Sequence, residues 1–167
     1  MANRVFEELL RGKAAHADPI ACIEDVSAEL AGKRIGGFPH SIWQLVNHMN
    51  YWMDYEIKRV AGHAPPYPQH AAQSWLEEAV PSTESHWSDS KVEFDALLRK
   101  ISDLAQSPPD VLAREVKATH PGHAKVASSL QAVLWQILAH NSYHTGQIAL
   151  IRRCLGIWPP RAGGDSW

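Results

Sequence analysis

The chain has 167 residues, 45% of them hydrophobic and 20% charged, with a formal net charge of −2. This is enough apolar length to bury a core without disulfide or metal staples, and it excludes a disordered chain. With no excess of positive charge and no basic stripe, it also lacks the electrostatic footprint of a nucleic-acid binder.

Helical periodicity dominates, and no run shows convincing strand alternation. The first helical region covers about residues 2–31. Asp18-Pro19 lies inside it, an N-cap residue followed by proline at N1, so a short helix followed by a longer one is expected. Ile20, Ile23, Val26 and Leu30 then fall at three-to-four spacing, and Gly32, Gly36 and Gly37 end the segment. A second helix begins at Ser41, where Ser41-Ile42-Trp43-Gln44 has the form of a capping box. Leu45, Met49, Trp52 and Val60 mark its apolar face; Gly62 and Pro65-Pro66 stop it.

A third helix is read from about Ser82 to Gln106, with Trp87, Phe94, Leu97, Leu98, Ile101 and Leu104 inward and Ser107-Pro108-Pro109 at its end. The fourth is expected to start at Ser128, where Ser128-Ser129-Leu130-Gln131 repeats the capping form, and to run to Cys154. Leu130, Leu134, Ile137, Asn141, His144, Ile148, Ile151 and Leu155 alternate steps of four and three along it. This is a bundle-core seam with Asn141 and His144 where leucine would be expected. Gly156 and Pro159-Pro160 close the helix. The pattern as a whole predicts an all-α four-helix bundle in one domain, 1–167, with an extra short N-terminal helix and a Pro/Gly-rich C-terminal tail. The connections over about 63–81 and 107–127 are long for helix hairpins, so a simple up-down-up-down course is not required.

Ten histidines stand out. His140 and His144 are i and i+4 on the fourth helix, where two imidazoles can converge on one ion. With ten histidines, about half an HxxxH pair is expected from random placement, so spacing alone is weak. Position strengthens it: His144 lies on the core seam, His140 flanks it, and His48 lies beside the apolar face of the second helix. Three inward histidines from two capped helices suit a three-ligand metal site with an open position. The residue after His140 is Asn141, which excludes the HExxH zincin pattern, and no histidine has Glu three residues before it, which excludes the di-iron carboxylate pattern. His120 and His123 form a loop HxxH around Pro121-Gly122, a weaker candidate; His16, His40, His63, His70 and His86 read as surface or packing residues.

Pro39-His40-Ser41-Ile42-Trp43-Gln44-Leu45-Val46-Asn47-His48 and Leu138-Ala139-His140-Asn141-Ser142-Tyr143-His144-Thr145-Gly146-Gln147-Ile148 together resemble the DinB/YfiT-like family, over nearly the whole chain. The tail, Arg152-Arg153-Cys154-Leu155-Gly156-Ile157-Trp158-Pro159-Pro160 and Gly164-Asp165-Ser166-Trp167, is similar to one branch of it. The resemblance implies an up-down-down-up bundle, a homodimer, and a metal triad for zinc or nickel mapping onto His48, His140 and His144. Relatives that activate a low-molecular-weight thiol, mycothiol-dependent isomerases and bacillithiol S-transferases, imply such a thiol as a second cofactor here.

The expected function is therefore a divalent-metal-dependent transferase or hydrolase acting on a small molecule through a metal-activated thiol or water. The alternative, from another class, is a non-enzymatic metal-stabilised dimer serving as a stress-response or binding protein. No residue presents itself as a general base: Gln147 and Asn141 can orient a ligand but take up protons poorly. Tyr51, Trp52 and Tyr55 read as core packing ahead of pocket wall, and Arg152 and Arg153 as last-turn cations complementing the helix dipole ahead of an anion site. Trp158 and Trp167 are left between a lid and an edge cover. Cys22 and Cys154, with no CxxC, read as buried or half-buried small side chains. The absence of a signal-like N-terminus or a membrane-length apolar run predicts a cytoplasmic chain.

Overall fold

The computed structural model describes residues 2–13, 15–119 and 128–163. Helix α1, Ala2–Leu10, buries Phe6 and Leu10, one turn apart on the same face. Gly12 turns the chain after it at φ 75°, where a Cβ would meet the Nδ1 and carbonyl oxygen of His16 at 2.6 Å. Only glycine fits there.

The segment read as one longer helix after Asp18-Pro19 is two short ones, α2 (Ala21–Glu24) and α3 (Ala28–Gly32). Its start is as expected: Asp18 Oδ1 accepts from the N–H groups of Ile20 at 2.8 Å and Ala21 at 3.4 Å. The break comes from tertiary competition for backbone acceptors. The Cys22 carbonyl, due to accept from Val26 in a helix, takes Arg152 Nη1 at 2.9 Å, and the Val26 carbonyl takes Trp87 Nε1 at 2.7 Å. Ser27 then caps α3 afresh, accepting from Leu30 N–H at 3.3 Å.

Helix α4, Ile42–Val60, starts with the expected capping box, both bonds of which form: Gln44 N–H to Ser41 Oγ at 3.2 Å and Ser41 N–H to Gln44 Oε1 at 3.1 Å. The same two side chains donate to the carbonyls of Ala79 (2.6 Å) and Leu76 (2.7 Å), fastening the 63–81 connection to the helix start. A 3₁₀ turn, Ala71–Ser74, lies within that connection. Helix α5, Glu84–Ala105, is capped by Thr83 and not Ser82, whose hydroxyl pairs with the His86 ring. After the single turn α6, Pro109–Leu112, two-residue strands β1 (Glu115–Val116) and β2 (Ser128–Ser129) pair antiparallel. That bridge, too short for any alternation to show, uses the backbone of Ser128. The cap of helix α7, Leu130–Cys154, is accordingly Ser129, which accepts from Ala132 N–H at 3.1 Å, and the expected box from Ser128 does not form.

The four long helices pack as a bundle, with α4 against α5 and α7, and α1 against α5 and α7. Trp43 meets His86, Asn50 bonds the Ser90 carbonyl, and Ile57 and Val60 share a cavity with Lys100 and Leu104; the contacts advance together, so α4 and α5 run parallel. Against α7 they run opposite: His48 meets His144, Met53 meets Asn141, and Arg59 shares a cavity with Gln136 and Ser128. All seam positions of α7 from Leu130 to Ile151 are buried, as are Trp87, Phe94, Leu97, Leu98 and Ile101 of α5. Cys22 is buried, whereas Cys154 is exposed, on the outer side of a last turn whose Ile151 and Arg152 face inward. Among the described residues no helix is long and apolar enough to cross a membrane.

Candidate metal centre

The antiparallel pairing of α4 and α7 sets His48, two turns past its cap, against the i, i+4 pair of α7. His140 Nε2 lies 3.2 Å from His48 Nε2 and 3.1 Å from His144 Nε2, and one nitrogen of each ring falls within 4.8 Å of the others. His48 and His144 are buried and His140 is half-buried. All three sequence-expected ligands are brought together.

The other ring nitrogens fix the tautomers. His48 Nδ1 lies 3.2 Å from the carbonyl oxygen of Ser74, and His144 Nδ1 lies 2.7 Å from Gln147 Oε1. Both partners only accept, so both Nδ1 atoms carry the hydrogen and both Nε2 atoms present lone pairs. His140 Nε2 faces both and has at most one hydrogen to give. A proton does not resolve the crowding: burial lowers His48 to about 3 and His140 to about 4, and lowers His144 as well, with the neighbouring rings adding to the shift at His48 and His140. Three neutral nitrogens converging on one point are what a cation requires. Around a tetrahedral ion with metal–nitrogen bonds of about 2.0–2.1 Å, ligand nitrogens sit roughly 3.3–3.4 Å apart, near the separations found.

Residues that the sequence did not single out complete the surroundings. Trp75 lies between two imidazoles, stacked on His48 at 3.7 Å and on His40 at 3.6 Å. Ser74 and Trp75 come from the irregular connection after α4, which carries no periodic signal. Asn141, on the seam, donates to Met53 Sδ at 3.2 Å. Gln147, expected to orient a ligand, instead orients the His144 ring.

A cavity of about 670 Å³ opens beside His140, walled by Trp52, Tyr55 and Tyr67 and reaching Glu56 and Arg59. Trp52 and Tyr55 are thus pocket wall as well as packing, while Tyr51 is not part of that wall. Glu56 and Arg59 follow His48 at eight and eleven residues, on the same helical face as Trp52 and Tyr55; that stripe was the signal available for them. Arg152 is neither an anion site nor a solvated last-turn cation. It is 1% exposed and held at both terminal nitrogens, by Asp25 at 2.6 and 3.3 Å and by the carbonyls of Cys22 and Ile157. Arg153 lies over the Trp158 ring, and Trp158 packs against the core, which favours the edge cover over the lid. His16 bonds Ser142 Oγ at 2.9 Å, and His63, His70 and His86 are exposed, in keeping with packing and surface roles. His120, Pro121, Gly122 and His123, and the tail from Gly164 to Trp167, lie outside the described residues.

The family model of the DinB family matches residues 1–165. Among solved structures the chain superposes on YfiT from Bacillus subtilis, described as "a probable metal-dependent hydrolase with an unusual four-helix bundle topology", with a TM-score of 0.62 and 17% sequence identity, over 92% of this chain and 85% of that one. At that identity the likeness shows the fold. No curated protein matches the chain in sequence.

Proposed function

Because this chain belongs to the DinB family, we propose that His48, His140 and His144 hold one divalent transition metal ion and that the protein is a metal-dependent enzyme, a transferase using a low-molecular-weight thiol or a hydrolase using water. The observation that carries the reading is the pair of lone pairs, on His48 and His144, aimed at the one remaining nitrogen of His140. An all-imidazole set suits zinc or nickel. When bound, the ion would act as a Lewis acid that lowers the pKa of a water or thiol at its open position.

The chain's own residues supply the rest. The Ser74 carbonyl and Gln147 hold two rings in the ligating tautomer before any ion arrives, and Trp75 covers the outer face of His48. His140, the least buried ligand, borders the cavity through which a small substrate reaches the centre. A closed structural site needs a fourth protein ligand; among the described residues the cluster has three, which favours the enzyme over the metal-stabilised binding protein. The description of YfiT supports the hydrolase arm, and a thiolate as fourth ligand to zinc supports the transferase arm. The reading includes an up-down-down-up course for the four long helices, a homodimer and a cytoplasmic location.

Elemental mass spectrometry on untagged protein tests the centre. About one equivalent of transition metal per chain is expected in the wild type and none in His140→Ala/His144→Ala. A wild-type chain that stays metal-free after reconstitution would remove the basis for the enzyme.

A further inference from the structure

The cavity beside His140 carries, away from the triad, an ion pair that the metal chemistry does not use. Glu56 and Arg59 both line it, with their side chains only 13% and 10% exposed. Arg59 has five N–H donors. Nε donates to Glu56 Oε2 at 2.8 Å, Nη2 lies 2.6 Å from the same oxygen in the ion pair, and Nη1 donates to the Lys117 carbonyl at 3.1 Å. At least one N–H therefore remains on each terminal nitrogen, enough donors to meet both oxygens of a carboxylate. On the partner, Glu56 Oε1 accepts nothing among the described residues. Burial raises the Glu56 carboxyl above its ordinary value even with Arg59 opposing, so a further cation at its open oxygen would be favoured.

We propose that this cavity is the substrate chamber of the metal centre and that the Glu56–Arg59 pair receives the zwitterionic α-amino-acid head of a small substrate. The carboxylate takes the two free N–H groups of Arg59, and the ammonium takes Glu56 Oε1. A simple anion would meet the Glu56 carboxylate beside its arginine, and a simple cation would meet Arg59; only a head with both charges matches both halves. The body of the ligand lies against Trp52, Tyr55 and Tyr67, whose ring centres are 5.4–6.0 Å apart. Along α4, Glu56 is about 12 Å and Arg59 about 16 Å from His48, which spans an extended chain of roughly three to five residues. The substrate is thus of tripeptide size or an amino-acid conjugate of that length, with its reacting group at the far end from the head. The proposal rests on the metal-centre reading for which end reacts, but not for the recognition of charge.

The test compares L-phenylalanine, its amide and 3-phenylpropionate, which share a ring and differ in head charge, by ligand-observed NMR titration. It is run on the wild-type protein and on His140→Ala/His144→Ala, where an amino acid cannot be captured by chelation. L-Phenylalanine is expected to bind at least about tenfold tighter than either analogue in both proteins. Arg59→Met should erase its advantage over the amide, and Glu56→Gln its advantage over the propionate. Should either single variant unfold, Glu56→Gln/Arg59→Met leaves no unpaired charge and should bind all three alike. Equal binding of the three by folded protein, no binding of any, or a preference that survives the double variant overturns the proposal. Failure of the metal reading shows separately, as metal-free wild-type protein.

Discussion

At the scale of single residues, the site turns on hydrogens more than on rings. Three histidines near one another could form an ordinary buried hydrogen-bonded cluster, and what speaks against that is the acceptor on the distal nitrogens of His48 and His144, which leaves at most one hydrogen among the three facing nitrogens. Gln147 supplies one of them, at 2.7 Å from His144. Gln147→Leu is expected to weaken metal binding by about 10–100-fold, because His144 loses its fixed tautomer and orientation. The unfolding midpoint of the metal-free protein should barely move. Competition against a chelator gives the first quantity and a thermal melt the second; equal affinities in the two proteins would reduce Gln147 to a bystander. His48 and His140 were legible in the sequence from their places on apolar helical faces. Ser74 was not, because a backbone carbonyl in an irregular connection leaves no mark on residue identity.

At the scale of elements, the least legible part was the region after Asp18. Its apolar spacing is helical, and α2 and α3 are helices, but Arg152 and Trp87 take the carbonyls that would have joined them. Arg152 also neutralises Asp25, whose carboxylate accepts from Arg161 N–H at 3.0 Å as well, so one buried pair ties α2, α7 and the tail together. Burial alone would raise the Asp25 carboxyl; the Arg152 and Arg161 bonds outweigh it and hold the group below its ordinary value. Asp25→Ala leaves a charged guanidinium buried and is expected to cost about 3–5 kcal/mol in urea unfolding. A carboxyl depressed in the folded state contributes its stability above the ordinary carboxylate range and loses it as pH falls through the lower folded value. Wild type and variant should therefore differ by the same amount from neutrality down to about pH 5 and converge in stronger acid. A gap that stays constant in acid would show that the loss comes from packing and not from the charge pair.

At the scale of the whole molecule, the three histidines join α4 to α7, and an ion held there would clasp the two helices. An ion that binds only the folded chain stabilises it by RT ln(1 + [L]/Kd), about 3–4 kcal/mol at 100 to 1,000 times Kd. For a chain of this length that corresponds to a rise in melting temperature of roughly 6–16 °C. Adding zinc or nickel to chelator-stripped protein should produce a shift of that order, and His140→Ala/His144→Ala should show none. A melting temperature indifferent to metal in the wild type would mean that the three imidazoles do not act as a folded-state site.

The long helices and the convergence of three histidines between them could be read from the chain alone. A seam repeating every three to four residues can bury its apolar side only as a helix against other helices, and replacing leucine by histidine on that seam sends an imidazole inward. The Ser41–Gln44 capping box was equally legible, because its bonds are local. Tertiary structure alone decided whatever depends on groups far apart in the chain. It decided that Arg152 serves Asp25 and not the solvent, that Ser128 yields the cap of α7 to Ser129 by pairing with Val116, and that Ser74 and Trp75 close over His48. It also decided that Glu56 and Arg59 share a cavity with His140. These pairings cross 12 to 127 residues of chain, and periodicity records only which face a residue occupies, not which partner waits on the other side.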